Sequence, residues 1–365
     1  MSNTKKIRIL YTIPNFNTAG SGKVVYDLVQ NLDKSRFETE IACGSDDGKF
    51  FKIVKDTGVP IHIFRTKTDY RPYYNLMFRI LKISKFYKDN NYDIIHSWQW
   101  SNDWTEGLAA RIVGKKWLFT KKAMGFGNNH WKIKSLLANF IVTVNDQMSA
   151  YFPNKKAQKL IPFGLDTEYY RRMNNRNPNR QDSEVFHIIT IANLVPVKKV
   201  EVIIKAIHRL KGSNVKLSIL GSNTNDYGQE MIALSKSLDL ENEIEFLGKR
   251  TDIRSLYSEA DLYVISSERE GMPMALVEAM SMGTPVLGAQ SPGISYVLRD
   301  FQDLLYPFGD DATLAKKIQE IRHMKKKDRQ QLGQDLRRYC IDHYTLNAFI
   351  KAHEDLYLML AGKQR

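Results

Sequence analysis

The chain alternates between short apolar runs rich in β-branched residues and longer stretches in which apolar residues recur at helical spacing. Two of the helical stretches are 73–89 and 200–210. Eleven apolar runs are predicted to be strands, at 8–14, 38–43, 61–64, 92–97, 116–120, 139–144, 186–192, 215–221, 243–248, 261–266 and 284–289. Strands that alternate with helices favour parallel sheets joined by right-handed crossovers. Because eleven strands are too many for one comfortable sheet, the pattern predicts two α/β domains.

A polar, asparagine-rich segment at 171–184 interrupts the alternation and is typical of a linker. We therefore place the first domain at 1–172, the linker at 173–184 and the second domain at 185–340. A C-terminal helix within 341–365 is expected to pack back toward the first domain. Both domains are expected to be doubly wound, Rossmann-like units that face a central cleft. Ligands of open α/β sheets bind beyond the carboxyl ends of the strands, so the residues after each strand are the candidates for function.

The net charge of +14 is confined to the first half of the chain. Residues 1–180 contain 30 Lys and Arg against 15 Asp and Glu, whereas residues 181–365 contain 24 against 25. Such asymmetry favours an anionic partner, such as membrane headgroups, a lipid-linked phosphate, an acidic glycan or nucleic acid, over a merely solvated basic surface. Basic residues alternate with aromatic ones in 79–89, 114–122 and 129–137, which suits the interface of an anionic bilayer.

Other features of the composition point to the cytoplasm. Cys43 and Cys340 lie far apart and form no disulfide or zinc pattern. The N-terminus runs straight into a predicted strand without a signal peptide, and no run of about 18 apolar residues occurs. We expect a cytoplasmic protein that associates peripherally with the inner face of the cytoplasmic membrane.

The segment 18–32 contains Gly20, Ser21, Gly22 and Lys23, which look like the end of a P-loop. A P-loop needs a glycine five residues before the lysine and a Ser or Thr after it, but the chain has Thr18 and Val24 there. What remains is a strand, a loop of small residues and an amphipathic helix, whose start would suit any anion. A tight turn between strand and helix explains this stretch equally well.

The strongest chemical signal is the stretch 267–288, in which seven residues separate Glu270 from Glu278. Pro273 suits the first position of a helix, and Gly283 suits its C-terminal cap. The backbone amides of Gly271, Met272 and Met274 would then bind a phosphate, while Glu278 would accept hydrogen bonds from a vicinal diol such as ribose. Two glutamates on one helix usually mark a solvated face. Here their neighbours are apolar, and a buried carboxylate without a partner is costly, which favours a functional role.

The stretch EREGMPMALVEAMSMGTPVLG, 268–288, resembles the E-x7-E signature of glycosyltransferase family 4, a group of retaining enzymes with the GT-B fold. Segments 159–170, 191–207 and 18–32 resemble other parts of the same family in order and spacing. The resemblance covers nearly the whole chain. It implies that the glycine segment lies beside the donor phosphates and the transferred sugar, and that it does not hydrolyse a nucleotide.

The resemblance also implies which residues bind a nucleotide-sugar donor. Glu278 would bind the ribose, Glu270 the donor sugar, and Lys198 the diphosphate whose charge grows as it leaves. The predicted donor site comprises Gly20, Ser21, Gly22, Asn193, Lys198, Lys199, Gly221, Lys249, Arg250, Glu270, Gly271, Met272, Pro273, Met274 and Glu278. The family's phosphate-binding arginine falls on Asn193, so Lys199 or Arg269 would have to supply that charge. No Asp-x-Asp occurs in the chain, so no metal or other cofactor is expected.

In the first domain the family often has H-x-H after a strand, where this chain has His96 and Trp98. His96 is a predicted catalytic residue together with Glu270 and Lys198, although it is a bystander if the second histidine of the motif does the work. Trp98, Lys121 and Lys122 are predicted to bind the acceptor.

The predicted function is transfer of a hexose-type sugar from a nucleotide sugar, with a UDP-sugar as the expected donor, to a hydroxyl of a glycan or lipid-diphosphate-linked acceptor in bacterial cell-surface polysaccharide synthesis. The alternatives are a sugar-nucleotide epimerase of the same fold and a non-catalytic nucleotide-sugar-binding protein. No nucleic-acid partner is expected, because the fold resembles no reader of DNA or RNA.

Overall fold

The computed structural model describes residues 5–17, 19–173, 185–250 and 252–363. The chain divides into two compact units. The first unit comprises Met1–Gly164 and Leu346–Arg365, and the second comprises Leu165–Thr345. Residues 174–184, nearly all of the predicted linker, lie outside the described residues.

The first unit is built on a seven-stranded parallel sheet with the order β3-β2-β1-β4-β5-β6-β7. Its strands are β1 Ile7–Ile13, β2 Phe37–Cys43, β3 Ile61–Ile63, β4 Ile94–Ser97, β5 Lys116–Lys121, β6 Phe140–Thr143 and β7 Gln158–Leu160. The central strands are almost wholly buried, because helices cover both faces of a parallel sheet. β7 was not among the predicted strands, since its sequence Gln-Lys-Leu carries no apolar run.

Five helices join these strands: α1 Ala19–Asn31, α2 Lys49–Lys55, α3 Leu76–Asp89, α4 Thr105–Ile112 and α5 Asn129–Leu137. A short 3-10 turn, Tyr73–Asn75, precedes α3, so the predicted helix at 73–89 is confirmed with a tighter first turn. The core of the unit brings Ile80, Ile83 and Tyr87 of α3 against Trp117 and Phe119 of β5.

The second unit contains a six-stranded parallel sheet with the order β10-β9-β8-β11-β12-β13. Its strands are β8 Phe186–Ile191, β9 Val215–Leu220, β10 Ile244–Gly248, β11 Leu262–Ile265, β12 Val286–Ala289 and β13 Leu305–Tyr306. All eleven predicted strands therefore coincide with strands of the two sheets. The additional strand β13 has two residues, too few for a hydrophobic pattern to reveal it.

The helices of the second unit are α6 Val200–Arg209, α7 Asp226–Ser237, α8 Ile253–Glu259, α9 Met274–Ser281, α10 Ile294–Val297, α11 Asp311–His323 and α12 Lys326–His343. α6 shows how the sequence dictates the packing, because Val200, Ile203, Ile204 and Ile207 recur at helical spacing and are all buried. No helix within the described residues combines the length and the apolarity needed to cross a bilayer.

The last helix, α13 Leu346–Leu360, belongs to the first unit. Its buried side chains include His353 and Tyr357, and the Tyr11 hydroxyl of β1 donates to that of Tyr357 over 3.1 Å. The C-terminal end of the chain thereby completes the core that the N-terminal end begins.

Candidate active site

The second unit has a switch point between β8 and β11. From β8 the chain moves outward through β9 and β10 on one side, and from β11 it moves outward through β12 and β13 on the other. Because these strands are parallel, the loops that follow β8 and β11 begin at the same edge of the sheet. Such a switch point opens a crevice, which is the usual ligand position in open α/β sheets.

Two hydrogen bonds hold these two loops together. The Ser266 hydroxyl donates to the backbone carbonyl of Lys198 over 2.8 Å. The backbone amide of Glu268 donates to the carbonyl of Val197 over 2.9 Å. Lys198 ends a 3-10 turn that begins at Pro196, so its backbone is fixed from both directions. The lysine side chain is therefore presented from a rigid base.

An ion pair joins Lys198 and Glu270 across the switch point. The Lys198 Nζ lies 2.5 Å from the Glu270 Oε1, and the two side chains are 22% and 15% exposed. An ammonium group has three N–H donors, so the bond to Glu270 uses one of them. Both groups are partly exposed, so a ligand can reach them. Because they are only partly hydrated, their electrostatic interaction with a charged ligand is stronger than it would be in bulk water. The structure thus brings together two of the predicted catalytic residues.

The loop after β12 supports Glu270 from the opposite side. Gly293 has a φ of 80°, and a Cβ there would lie 2.5 Å from the carbonyl oxygen of Glu270. The amide of Glu270 donates to the carbonyl of Pro292, and the Ser291 hydroxyl donates to that of Ser267 over 2.8 Å. Sequence reasoning missed these residues, although the Ser-Pro-Gly turn just after a predicted strand was a usable signal.

Glu278 lies on α9, one turn beyond its start. The Tyr257 hydroxyl lies between the carbonyl of Ala275 at 2.9 Å and the Glu278 Oε2 at 3.2 Å. Burial raises the pKa of Tyr263 on β11 far above its usual value, and the negative charges of Glu270 and Glu278 raise it further. The Tyr257 ring lies 5.9 Å from that of Tyr263, so the contact with Tyr257 places Glu278 beside β11.

The start of α9 differs by one residue from the prediction. The helix begins at Met274, and Pro273 is the capping residue before it, not the first helical residue. Gly271, Met272 and Pro273 are buried in the loop that leads into the helix. Gly283, with a φ of 69°, follows the last turn, which confirms the predicted left-handed C-terminal position.

Gly221 immediately follows β9, and its conformation matters for the edge of the sheet. Its φ is 155°, and a Cβ at this position would lie 1.9 Å from the carbonyl oxygen of Ala192. Only glycine allows the end of β9 to pass so close to the loop after β8. This close approach gives Gly221 a structural reason, whereas its predicted contact with the donor stays a prediction.

The remaining predicted donor residues of the second unit surround the same edge. Asn193 is exposed on the loop after β8, and Lys249 and Arg250 are exposed after β10. Lys199 adopts a left-handed conformation, and its Nζ lies 3.8 Å from the Glu201 Oε1. Its charge therefore faces Glu201. Arg269, the other predicted replacement for the family's arginine, is exposed.

In the first unit, Gly20, Ser21 and Gly22 lie in the first turn of α1. The expectation of a glycine loop was wrong, because the helix begins at Ala19. A Cβ on Gly22 would lie 2.9 Å from the Phe16 ring, so the glycine lets the helix pack closely. The Ser21 hydroxyl accepts a hydrogen bond of 3.3 Å from the indole of Trp100, which follows β4. This contact crosses the switch point of the first sheet, and sequence reasoning missed Trp100.

His96 is fully buried on β4. Its Nδ1 lies 2.7 Å from the Tyr357 hydroxyl and its Nε2 lies 2.8 Å from the Thr120 hydroxyl, so both ring nitrogens have partners inside the unit. Burial lowers its pKa well below the usual value, and His353 and Lys122 lower it further. This environment describes a neutral core histidine, and its predicted catalytic role stays a prediction.

The predicted acceptor residues Trp98 and Lys121 are buried, and Lys122 is half-buried. The Lys121 Nζ donates to the carbonyls of Ala123 and Gly125, and Lys122 donates to that of Trp98. Burial and, to a lesser extent, the nearby charge of Lys134 lower the pKa of Lys121 to about 8. Burial also lowers the pKa of Lys122. Burial therefore disfavours the charged forms of Lys121 and Lys122, and a bound anion would stabilise them.

Within the described residues, no group of three or more His, Cys, Asp or Glu side chains is placed to hold a metal ion. The Lys198 ammonium places a cation beside Glu270. The expectation of metal-independent chemistry stays a prediction.

Comparisons with known proteins agree with this geometry. Residues 18–168 match the sequence model for Glycosyltransferase Family 4, and residues 171–339 match the model for glycosyl transferases group 1. The capsular polysaccharide biosynthesis glycosyltransferase CapH of Staphylococcus aureus is 21% identical over 345 residues, which are 88% of this chain and 94% of CapH.

Two solved structures have the same fold. A glycosyltransferase from Rickettsia africae ESF-5 superposes with a TM-score of 0.88 at 18% identity, covering 99% of this chain and 100% of that one. Anabaena Alr3699/HepE in complex with UDP and glucose superposes with a TM-score of 0.80 at 18% identity, covering 96% and 99%. The likeness confirms the predicted GT-B fold of two Rossmann-like domains. With one family model on each unit, the chain belongs to the GT-B glycosyltransferases of family 4.

Proposed function

We propose that this glycosyltransferase binds a UDP-linked hexose at the switch point of its second unit and transfers the sugar with retention of configuration. The acceptor is a hydroxyl group of a glycan or lipid-linked saccharide in bacterial cell-surface polysaccharide synthesis. The observation that carries the proposal is the Lys198–Glu270 ion pair at the carboxyl edge of the sheet, with Glu278 on the helix that follows the same loop. The UDP complex of the Anabaena protein supports the choice of base, and the name of CapH supports the pathway class.

Lys198 is assigned to the diphosphate. Cleavage of the bond between the anomeric carbon and the β-phosphate oxygen leaves the electron pair, and hence a full charge, on that oxygen. A fixed ammonium that already lies at the site stabilises this charge without reorganising. The bonds from Ser266 and Glu268 to the Lys198 loop supply the necessary rigidity. We propose that this arrangement replaces a metal ion.

The two carboxylates are assigned to the neutral parts of the donor. Glu270 would accept hydrogen bonds from hydroxyls of the transferred sugar while keeping Lys198 in place. Glu278 would accept from the ribose diol, with Tyr257 orienting its carboxylate. Hydrogen bonds to a charged acceptor contribute more than neutral ones, so each glutamate has a measurable share in donor affinity.

The transfer step balances without a covalent enzyme intermediate. The acceptor hydroxyl oxygen forms the new bond to the anomeric carbon on the face that the diphosphate leaves. The hydroxyl proton goes to the departing phosphate oxygen, and the products are the glycoside and UDP. Retention follows from attack on the same face.

The acceptor is assigned to the first unit, which carries the excess of basic residues. Lys121 and Lys122 remain the proposed contacts for an anionic group of the acceptor, which would compete with their backbone carbonyl partners. Trp98 packs beneath Lys122, whose Nζ lies 5.6 Å from the centre of the indole ring. We propose that His96, whose ring centre lies 5.1 Å from that of Trp98, holds the Trp98 indole in position.

A thermal-shift panel of UDP, GDP, UDP-sugars and GDP-sugars tests the donor assignment. UDP-type ligands are expected to raise the melting temperature of the wild type, and Glu278→Gln is expected to remove most of the shift. Glu268→Gln is the matched control, because Glu268 is an exposed acid of the loop that leads into α9. Equal shifts in the wild type and in Glu278→Gln would take Glu278 out of the donor site.

Turnover then separates the alternatives. A donor that shifts the melting temperature should be consumed in the presence of a saccharide acceptor extract, with release of UDP. Isomerised donor without acceptor product would identify an epimerase. Binding without any turnover would identify a non-catalytic protein.

A further inference from the structure

An exposed apolar stripe lies at the start of α3 in the first unit. Tyr74 is 90% exposed and Phe78 is 72% exposed. Tyr73, Met77 and Leu81 are also exposed, between 46% and 66%. These five side chains, together with Lys82, Lys85 and Lys88 farther along the helix, are called the α3 surface below. Single exposed apolar residues are common on proteins, but a contiguous group of this size marks an interaction site.

Helical spacing puts four of the five apolar members on one side of the helix. Positions 74, 77, 78 and 81 follow the i, i+3, i+4, i+7 pattern of a single stripe. The opposite side already packs into the core through Ile80, Ile83 and Tyr87. α3 is therefore apolar on two sides, and burial within the first unit explains one of them.

The second half of the helix carries positive charge on its exposed positions. Lys82, Lys85 and Lys88 are exposed, and Lys85 forms an i,i+4 pair with Asp89 at 2.6 Å. Arg79 is engaged with Thr68 and Asn75, so it fixes the preceding loop. Tyrosines and a phenylalanine beside a row of lysines have the composition of a segment that lies in the plane of a bilayer surface.

We infer that the α3 surface docks the protein on an anionic phospholipid bilayer. Phe78, Met77 and Leu81 enter the boundary between headgroups and acyl chains, and Tyr73 and Tyr74 lie at headgroup level. The three lysines contact lipid phosphates, so attachment needs both the apolar insertion and the negative surface. A net positive first unit adds long-range attraction to the same surface. This docking does not depend on the proposed sugar transfer, and its test requires no donor.

The test is flotation of the full chain with two kinds of vesicle. One contains phosphatidylcholine alone, and the other contains phosphatidylcholine with about 40% phosphatidylglycerol, which gives its surface a strong negative charge. The wild type is expected to float with the anionic vesicles and to be released by about 0.5 M salt. Tyr74→Ser/Phe78→Ser is expected to lower the bound fraction at least about tenfold. Ile53→Ser/Ile63→Ser is its matched control, because both isoleucines are about half exposed elsewhere in the first unit.

A second variant tests the charge. Lys82→Glu/Lys85→Glu/Lys88→Glu is expected to abolish binding, whereas Lys325→Glu/Lys326→Glu/Lys327→Glu makes the same change in net charge on exposed lysines of the second unit and should retain most of it. Equal losses in the two triple variants would mean that net charge alone drives binding, and would overturn the assignment to α3.

Direct contact has its own readout. Phe78→Trp, at an exposed site that tolerates the larger ring, should show a blue-shifted emission on adding anionic vesicles and quenching by brominated acyl chains. Equal flotation with neutral and anionic vesicles, or an unquenched Trp at position 78, would overturn the proposal. So would sedimentation equilibrium that shows a wild-type dimer abolished by Tyr74→Ser/Phe78→Ser, because the surface would then join two copies of the chain.

Discussion

Acidification is expected to destabilise the first unit through His353. This histidine is fully buried on α13, where its Nδ1–H donates to the carbonyl of Phe349 over 3.0 Å. Within the described residues, its Nε2 has no hydrogen-bond partner. Burial lowers the pKa of His353 to about 4, and the charge of Lys159 adds to the effect, while the bond to Phe349 opposes it. The His96 ring stacks on it, with 5.7 Å between ring centres.

The sign and size of the effect follow from linkage. A histidine whose folded pKa lies below its unfolded value of about 6.5 contributes stability that is complete above pH 6.5 and is lost as the pH falls toward 4. The shift from 6.5 to about 4 corresponds to about 3 kcal/mol at 1.36 kcal/mol per pKa unit. Burial lowers the pKa of His96 in the same direction, so it adds a second loss.

Urea unfolding followed by tryptophan fluorescence measures this loss. All five tryptophans, Trp98, Trp100, Trp104, Trp117 and Trp131, belong to the first unit, so their emission reports that unit alone. His353→Gln keeps an N–H donor for Phe349 but does not titrate, and its stability should fall about 3 kcal/mol less than that of the wild type between pH 7 and pH 4. His130→Gln, at a partly exposed histidine of the same unit, is the control. Identical pH profiles of the wild type and His353→Gln would refute the reasoning.

Two further substitutions test the packing of each unit. Gly221→Ala should lower the free energy of unfolding of the second unit by about 3 kcal/mol, because the new Cβ would lie 1.9 Å from the Ala192 carbonyl oxygen. Thermal melting followed by circular dichroism measures the loss. An unchanged melting temperature would mean that the close approach does not require glycine. Glu40→Ala should lower the free energy of unfolding of the first unit by about 3 kcal/mol, because the Glu40 carboxylate accepts hydrogen bonds from Arg8, His62 and Tyr92. Urea unfolding followed by tryptophan fluorescence measures the loss. A loss below about 1 kcal/mol would contradict a stabilising role of these hydrogen bonds.

Much of the fold was predictable because strand and helix patterns were strong and local. Continuous apolar runs such as the one at 261–266 can hardly be anything but buried strands of a parallel sheet. The short strands β7 and β13 were not predicted, because they form by pairing with neighbouring strands and their own side chains show no strand pattern. The start of α1 was misjudged, because two glycines suggest a loop, whereas the structure has both in the helix and packs Gly22 against Phe16.

The site was predictable where chemistry depends on sequence spacing and unpredictable where it depends on packing. The seven residues between Glu270 and Glu278 drew attention to Glu270, which the structure pairs with Lys198, while donor binding by this segment stays a prediction. The support from Gly293 and Ser266 comes from loops after other strands, so it needed the topology of the sheet. The burial of His96 could not be predicted from its position at a strand end, because the helix that covers it, α13, is far away in the chain.

Calorimetric titration of UDP and of uridine into the wild type and Lys198→Ala tests most directly whether Lys198 binds the diphosphate. A charged hydrogen bond is worth about 1.5–3 kcal/mol, so the dissociation constant of UDP should rise roughly 10- to 150-fold in the variant. The constant of uridine should not change, because the nucleoside has no phosphate for the ammonium to bind. An unchanged UDP constant, or equal weakening of both ligands, would contradict the account.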